Sequence, residues 1–187
     1  MNKSEQYVYE AIKNWVWSGF YNEADIQEMM DDILDGDCDE KMLLSLVSKE
    51  FELKKRKEAN WPGETDYGRL SRAFDKLHEE GVCALHNAGY TMSGGLEAVT
   101  EAVAQASARR YRSYCFYHSQ DMERAIKGNG LYLAFGSLDG DETLSVEAGK
   151  AIVSALQTNG LEVAWGGGAK DRIVLPKIVW QKRSKAN

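Results

Sequence analysis

A chain of 187 residues, 43% hydrophobic and 28% charged, can bury a sizeable core, so disorder is not the expectation. The net charge of −6 is uneven: residues 1–64 carry 15 acids and 8 bases, residues 65–187 carry 14 and 15, and an acidic surface of this kind argues against nucleic-acid binding. No run approaches the roughly 20 apolar residues of a bilayer span, charges interrupt the first residues where a signal peptide would be apolar, and Cys38, Cys83 and Cys115 are odd in number with no CxxC pair. The expectation is a cytoplasmic protein without a membrane partner.

The first third reads as helices. Val8, Ile12 and Trp15 recur at helical spacing up to a stop at Gly19. Asn22 caps a second helix whose face is Ile26, Met29, Met30 and Ile33, and "DGDCD" breaks it. A third helix, 40–59, turns Leu43, Leu44, Val47 and Phe51 inward and ends in Lys54-Lys55-Arg56-Lys57, a run expected to be a solvated helix end facing the negative pole of the dipole. Pro62-Gly63 marks a hinge, so 1–64 forms a helical region and 65–187 an α/β region of one structural unit. A helix capped at Thr65 or Asp66 then runs to Gly81 with Leu70, Phe74 and Leu77 inward.

From Val82 the period changes to β-α-β-α-β-α-β-β. The strands are "VCALH", "YCFYH", "LYLAFG", "LEVAW" and "RIVLPKIVWQK", and the long helix between the first two spans 91–112 with Ser93 as its cap. Strands separated by helices favour parallel crossovers, and the last two predict an antiparallel hairpin; a split arrangement with further antiparallel strands stays open. The fold class is α+β or mixed α/β: a helical N-terminal part packed on a sheet of about five strands.

If the helix-linked strands are parallel, their C-terminal ends share one edge, where ligands usually bind in open α/β sheets. His86 and Tyr117-His118 end two strands there, with Tyr90, Asp121 and Arg124 close in sequence. His118 can act as base, Asp121 as its orienter, and Arg124 or Arg69 as an anion clamp; His86, Tyr90, Tyr117 and Arg69 are the ligand-binding candidates. The competing interpretation is structural: His118 or Ser119 as helix cap, Asp121 in the first turn, and Asp121 with Arg124 as an i,i+3 pair. His86, His118 and Asp121 have no spacing that demands a metal, and neither metal nor cofactor is expected. An EF-hand alignment from Asp35 puts Glu40 at the glycine position and Leu46 at the bidentate glutamate; one from Asp139 puts Leu144 and Lys150 there. "WGGGAKD" joins two strands instead of opening a helix, so it is a turn and not a phosphate cradle.

Nine acids and no base lie between Glu23 and Glu40, a surface that suits a basic protein partner. With no complete catalytic motif, the leading expectation is a non-enzymatic interaction or regulatory module using helices 23–40. The alternative is a small-molecule-binding protein or enzyme around His118, Asp121 and Arg124. "NWVWSGFYNEADI", "WPGETDYGRLSRAFDKLHEEGVCALHNAGYT", "FYHSQDMERAIKGNGLYLAFG" and "GLEVAWGGGAKDRIVLPKIVWQKR" together resemble a family of bacterial cytosolic proteins classed as a domain of unknown function. The resemblance implies a bacterial source and one unit over 1–187, and it brings no activity, cofactor or catalytic residue.

Overall fold

The computed structural model describes residues 1–107 and 110–184, which fall into two compact units: residues 1–65 with 181–184, and residues 66–180. In the first unit each helix begins on an Asx side chain. Asn2 and Asn22 open α1 (Lys3–Ser18) and α2 (Glu23–Asp31) with reciprocal capping boxes to Glu5 and Asp25, and Asp39 accepts from the Met42 amide at the start of α3 (Glu40–Glu58). Gly19 ends α1 in the left-handed region, φ 78°. Val8, Ile12 and Val16 of α1, Ile26 and Met30 of α2, and Leu43 and Val47 of α3 make the core of this unit, with Trp15, Met42, Leu44 and Phe51 at its margin.

Two charged side chains are buried with it. Glu50 accepts from Tyr9 Oη at 2.6 Å and Trp17 Nε1 at 3.0 Å, tying α1 to α3, and the carboxylate holds the Tyr9 phenol up at about 12. Lys54, expected at a solvated helix end, is instead fully buried: its Nζ donates to Val16 O at 3.0 Å and lies 3.6 Å from Glu58 Oε1. The reason is angular. Residue 54 continues the inward stripe of Leu43, Val47 and Glu50, while Lys55 and Lys57 leave it. Glu58 Oε1 also accepts from the Ser184 amide and hydroxyl at 2.7 and 2.8 Å, and Arg183 donates to Glu58 O and Pro62 O. The last described residues are thereby fastened to the helical unit.

In the second unit α4 (Asp66–Glu79), β1 (Val82–Leu85), α5 (Met92–Gln105), β2 (Ser113–Phe116), α6 (Ser119–Ile126), β3 (Leu131–Ser137), α7 (Glu142–Thr158) and β4 (Ile173–Leu175) build a four-stranded mixed sheet of order β1-β2-β3-β4 among the described residues. α4 and α7 pack on one another and on the sheet, α5 lies against β1, and α6 lies against β3. Gly95 lets α5 approach, since a Cβ there would overlap the Phe116 ring.

The chain is therefore mixed α+β with the helical part first, and the sheet differs from expectation in three ways. β1 and β2 are parallel, but β2–β3 and β3–β4 are antiparallel. α6, eight residues long, with left-handed Gly128 and Gly130, turns the chain at one end of the sheet instead of carrying it across a face. The expected final hairpin shrinks to one bridge, Ala164 with Val174, and no fifth strand forms among the described residues. Trp165 leaves the strand direction to stand edge-on to Phe135 above Gly149, where any Cβ would meet its ring, and its Nε1 donates to Gly168 O. Finally α5 begins at Met92, with Thr91 and not Ser93 in the cap position, and ends at Gln105, because Ala106 is extended and the Arg112 amide is drawn to Gly81 O beside β1; residues 108 and 109 of the expected helix lie outside the described residues.

Burial holds the Lys54 ammonium down at about 8 from its ordinary 10.5, against the opposing pull of Glu58. Between those values the unfolded chain binds more protons than the folded one, so stability rises with pH there, and at pH 7 the charge costs ~3 kcal/mol. Lys54→Met is expected to raise stability at pH 7 by ~1–3 kcal/mol and to flatten the rise toward pH 10; urea midpoints at the two pH values measure both effects.

Candidate functional site

The parallel pair β1–β2 brings its C-terminal ends together as the sequence led one to expect. The Ala88 amide donates to Tyr117 O at 2.9 Å and the Ser119 amide to Gly89 O at 3.0 Å, so the loop after β1 is stitched to the start of α6. At this edge Tyr117 directly follows β2 and His118 comes next in extended backbone, φ −99° and ψ 174°, and neighbours on an extended chain face opposite ways.

Tyr117 points into the aromatic side. It is fully buried, its Oη lies 2.9 Å from His86 Nδ1, and burial holds its phenol well above the ordinary value, so it keeps its proton. The His86 ring stacks on Phe74 with centroids 4.5 Å apart, and Trp180 stands edge-on to Tyr117. Tyr67 meets both His86 and Trp180.

His118 faces a separate polar centre. Its Nδ1 accepts from the Asp121 amide at 3.3 Å, Asp121 Oδ2 accepts from the His118 amide at 3.4 Å, and Nε2 lies 3.1 Å from the same carboxylate oxygen. The imidazole is thus the N-cap of α6, and a nitrogen that accepts from a backbone amide carries no proton. The partner that Asp121 takes is Arg172, at the start of β4: Nη2 is 2.6 Å from Oδ2 and 2.8 Å from Tyr132 O. Arg172 Nε, by contrast, is buried without a hydrogen-bond partner. Burial pushes the His118 pKa below its ordinary value; Asp121 opposes that and Arg172 reinforces it.

The candidates therefore divide. His86 and Tyr117 meet each other, and His118 meets Asp121, each pair with its own partners. Arg124 does not reach Asp121; it is exposed and lies over the Tyr132 ring, 4.8 Å from its centroid. Tyr90 is 61% exposed. Arg69 pairs with Asp66 at 3.3 Å in a cleft of about 200 Å³ that also presents Glu162 and Lys177, themselves paired at 2.9 Å. Among the described residues no three His, Cys, Asp or Glu side chains are grouped to hold a metal ion. Arg172 was missed by sequence reasoning; its one signal was a cation at the start of an apolar strand, 51 residues from its partner.

Chemically the polar centre is closed. The His118 lone pair is spent on an amide and the Asp121 carboxylate on a guanidinium, so neither is available as a base without unravelling α6. Arg172→Met, which leaves Asp121 buried and unpaired, is expected to cost about 3 kcal/mol, and adding Asp121→Asn is expected to recover part of it; a double-mutant cycle by urea denaturation decides. The folded state binds fewer protons at His118 than the unfolded one, so its contribution is complete above the unfolded value near 6.5 and is lost as pH falls below it. His118→Asn keeps a cap acceptor and removes the titration, so the stability difference between pH 7.5 and pH 5 is expected to shrink.

Residues 1–184 match the family described as a domain of unknown function (DUF6891). No curated protein and no solved structure matches the chain. The family match extends over both units, from α1 to the segment fastened by Glu58: the chain belongs to the DUF6891 family.

Proposed function

We propose that the protein is a non-catalytic interaction module of the bacterial cytoplasm, and that it engages a basic protein partner through α2 and the loop that follows it. The observation that carries this is a run of carboxylates without counter-charge. Of the nine acids from Glu23 to Glu40, all but Asp25 are exposed. None of these nine acids has an ion pair with a lysine or arginine among the described residues, and pairs of this unit such as Lys13–Glu10 and Lys54–Glu58 lie elsewhere. Asp35 is held below the usual carboxylate range by hydrogen bonds from the Ser4 hydroxyl, the Cys38 thiol and the Asp37 amide, so it stays ionised.

Such a face raises the encounter rate with a basic surface and loses that advantage as salt screens it. α2 turns only Ile26 and Met30 fully inward, which leaves its acidic side open. The three cysteines are unpaired, in keeping with a reducing compartment. The rival proposal, catalysis by His118, Asp121 and Arg124, is disfavoured because the first two are committed to a helix cap and an internal ion pair while Arg124 stands apart.

The variant Asp31→Lys, Asp32→Lys, Asp35→Lys is expected to lose its basic partners in affinity capture, and the wild-type chain to lose them between low salt and ~0.5 M salt. A set of captured proteins that survives both charge reversal and salt removes the acidic face from consideration. Asp31 and Asp32 are exposed, so the melting temperature of Asp31→Lys, Asp32→Lys is expected to stay close to that of the wild type, and this pair serves as the control for the hydrogen bonds lost at Asp35.

A further inference from the structure

Residues 181–184 complete the first unit without a hydrophobic anchor. Gln181, Lys182, Arg183 and Ser184 bring no apolar side chain to it, whereas burial of apolar surface is the main force that keeps a segment in place.

What grips them is a cradle at the C-terminal end of α3 that meets the three last side chains one by one. Lys182 Nζ lies over the Phe20 ring, 4.7 Å from its centroid, and the Lys182 carbonyl and Cγ pass so close to Gly19 that any Cβ there would collide with them. Arg183 divides its fork: Nη1 donates to Glu58 O and Nη2 to Pro62 O, both at 3.0 Å, while the guanidinium stands 5.9 Å from the centroid of the Trp61 ring. Ser184 donates both its amide and its hydroxyl to one carboxylate oxygen, Glu58 Oε1.

The chemistry of the cradle dictates what it accepts. Glu58 is the last residue of α3, so its carbonyl belongs to the negative end of the helix dipole, and its carboxylate adds a full charge. The two rings offer their electron-rich faces to cations. Two carbonyls reached by two nitrogens of one guanidinium call for arginine at the middle position, since a lysine ammonium is a single point of charge. The bases of α3 do not fill the place: Lys54 is turned inward to Val16 O, and Arg56 Nε donates back to Glu52 O. Contacts of this kind contribute little one at a time, so the set is selective without being tight.

We propose that this cradle is a recognition site for a Lys-Arg-Ser segment of a partner protein, occupied in cis by residues 182–184 acting as a releasable strap. A partner presenting the same three residues competes with the strap, which thereby controls access to the site. The surface is separate from the acids of α2, and the proposal does not rest on them.

The test is an amide-resolved NMR titration of the full chain carrying Lys182→Ala, Arg183→Ala, Ser184→Ala with the peptide Gln-Lys-Arg-Ser, acetylated and amidated at its ends, up to roughly millimolar concentration. The emptied variant is expected to keep the wild-type fold and to show saturable shifts at Gly19, Phe20, Glu58 and Trp61. The wild type is expected to bind the peptide about 10-fold more weakly or less, because its tethered strap competes. Gln-Lys-Lys-Ser, which lacks the fork, and Trp61→Leu, which lacks the ring, are each expected to weaken binding by about 2- to 5-fold. No saturable shift in the emptied variant, equal affinity in the wild type, or equal affinity for Gln-Lys-Lys-Ser overturns the assignment. So does a variant that no longer folds, since a releasable strap is dispensable to the core. Asp31→Lys, Asp32→Lys in the emptied background is expected to leave the shifts in place, which separates this outcome from that of the acidic face.

Discussion

An extended chain sends neighbouring side chains to opposite faces, and at Tyr117-His118 that alternation decides the character of the whole second unit. Tyr117 goes to the aromatic side, where His86, Phe74 and Trp180 enclose it, and His118 goes to the polar side, where Asp121 and Arg172 take it up. Two residues that look like one site in the sequence belong to separate centres. In each centre the groups that look catalytic have their hydrogen bonds made inside the protein, and only Arg172 Nε in the polar one is buried without a partner. A group built for acid–base work needs an unspent lone pair or proton facing a substrate; here those groups serve to join β2, α6 and β4.

The buried charges of the two units follow one logic with different outcomes. Asp121 has Arg172 at 2.6 Å, so its charge is compensated in place. Glu50 has no cation and is satisfied by two neutral donors, Tyr9 and Trp17, which raises the Tyr9 phenol. Lys54 is the least well served, with a carbonyl at 3.0 Å and a carboxylate no nearer than 3.6 Å, one that is shared with Ser184. An ammonium held down to about 8 is the mark of that imbalance. Through Glu58 the buried lysine is coupled to Arg183 and Ser184, whose hydrogen bonds hold that segment on α3.

Local signals carried much of the fold. Asn22 with Asp25 announced a capping box, Gly19 a helix stop, and Ile12, Ile26, Met30, Leu43 and Val47 a core, because caps and 3.6-residue periodicity are properties of a few adjacent residues. Strand direction was not legible in the same way. "FYHSQDMERAIKGNGLY" reads equally well as a crossover or a reversal, and the choice is made by Gly128 and Gly130 in the left-handed region together with pairing to β2. The lost fifth strand shows tertiary packing overriding pattern: "LEVAW" alternates like a strand, yet Trp165 gains more against Phe135 and Gly149 than the ladder offers. In the polar centre, His118 and Asp121 were visible as a cap because they lie three residues apart, while Arg172 was hidden by 51 residues of intervening chain.

What remains open to other molecules is set by where the charge was left uncompensated. The acids between Glu23 and Glu40 form no ion pair with the Lys54–Lys57 run among the described residues: Lys54 is buried on Val16 and Glu58, and the Asp39 cap lies at the other end of α3, about 20 Å away at 1.5 Å per residue. In the second unit several basic residues are taken up by acids: Arg172 by Asp121, Arg69 by Asp66, Lys177 by Glu162, Lys170 by Glu142. α5, with two glutamates and no base, is left out of this pairing. The exposed acids of α2 and the loop after it are therefore where the first unit keeps negative charge without an ion-pair partner among the described residues, and such a face selects for cations.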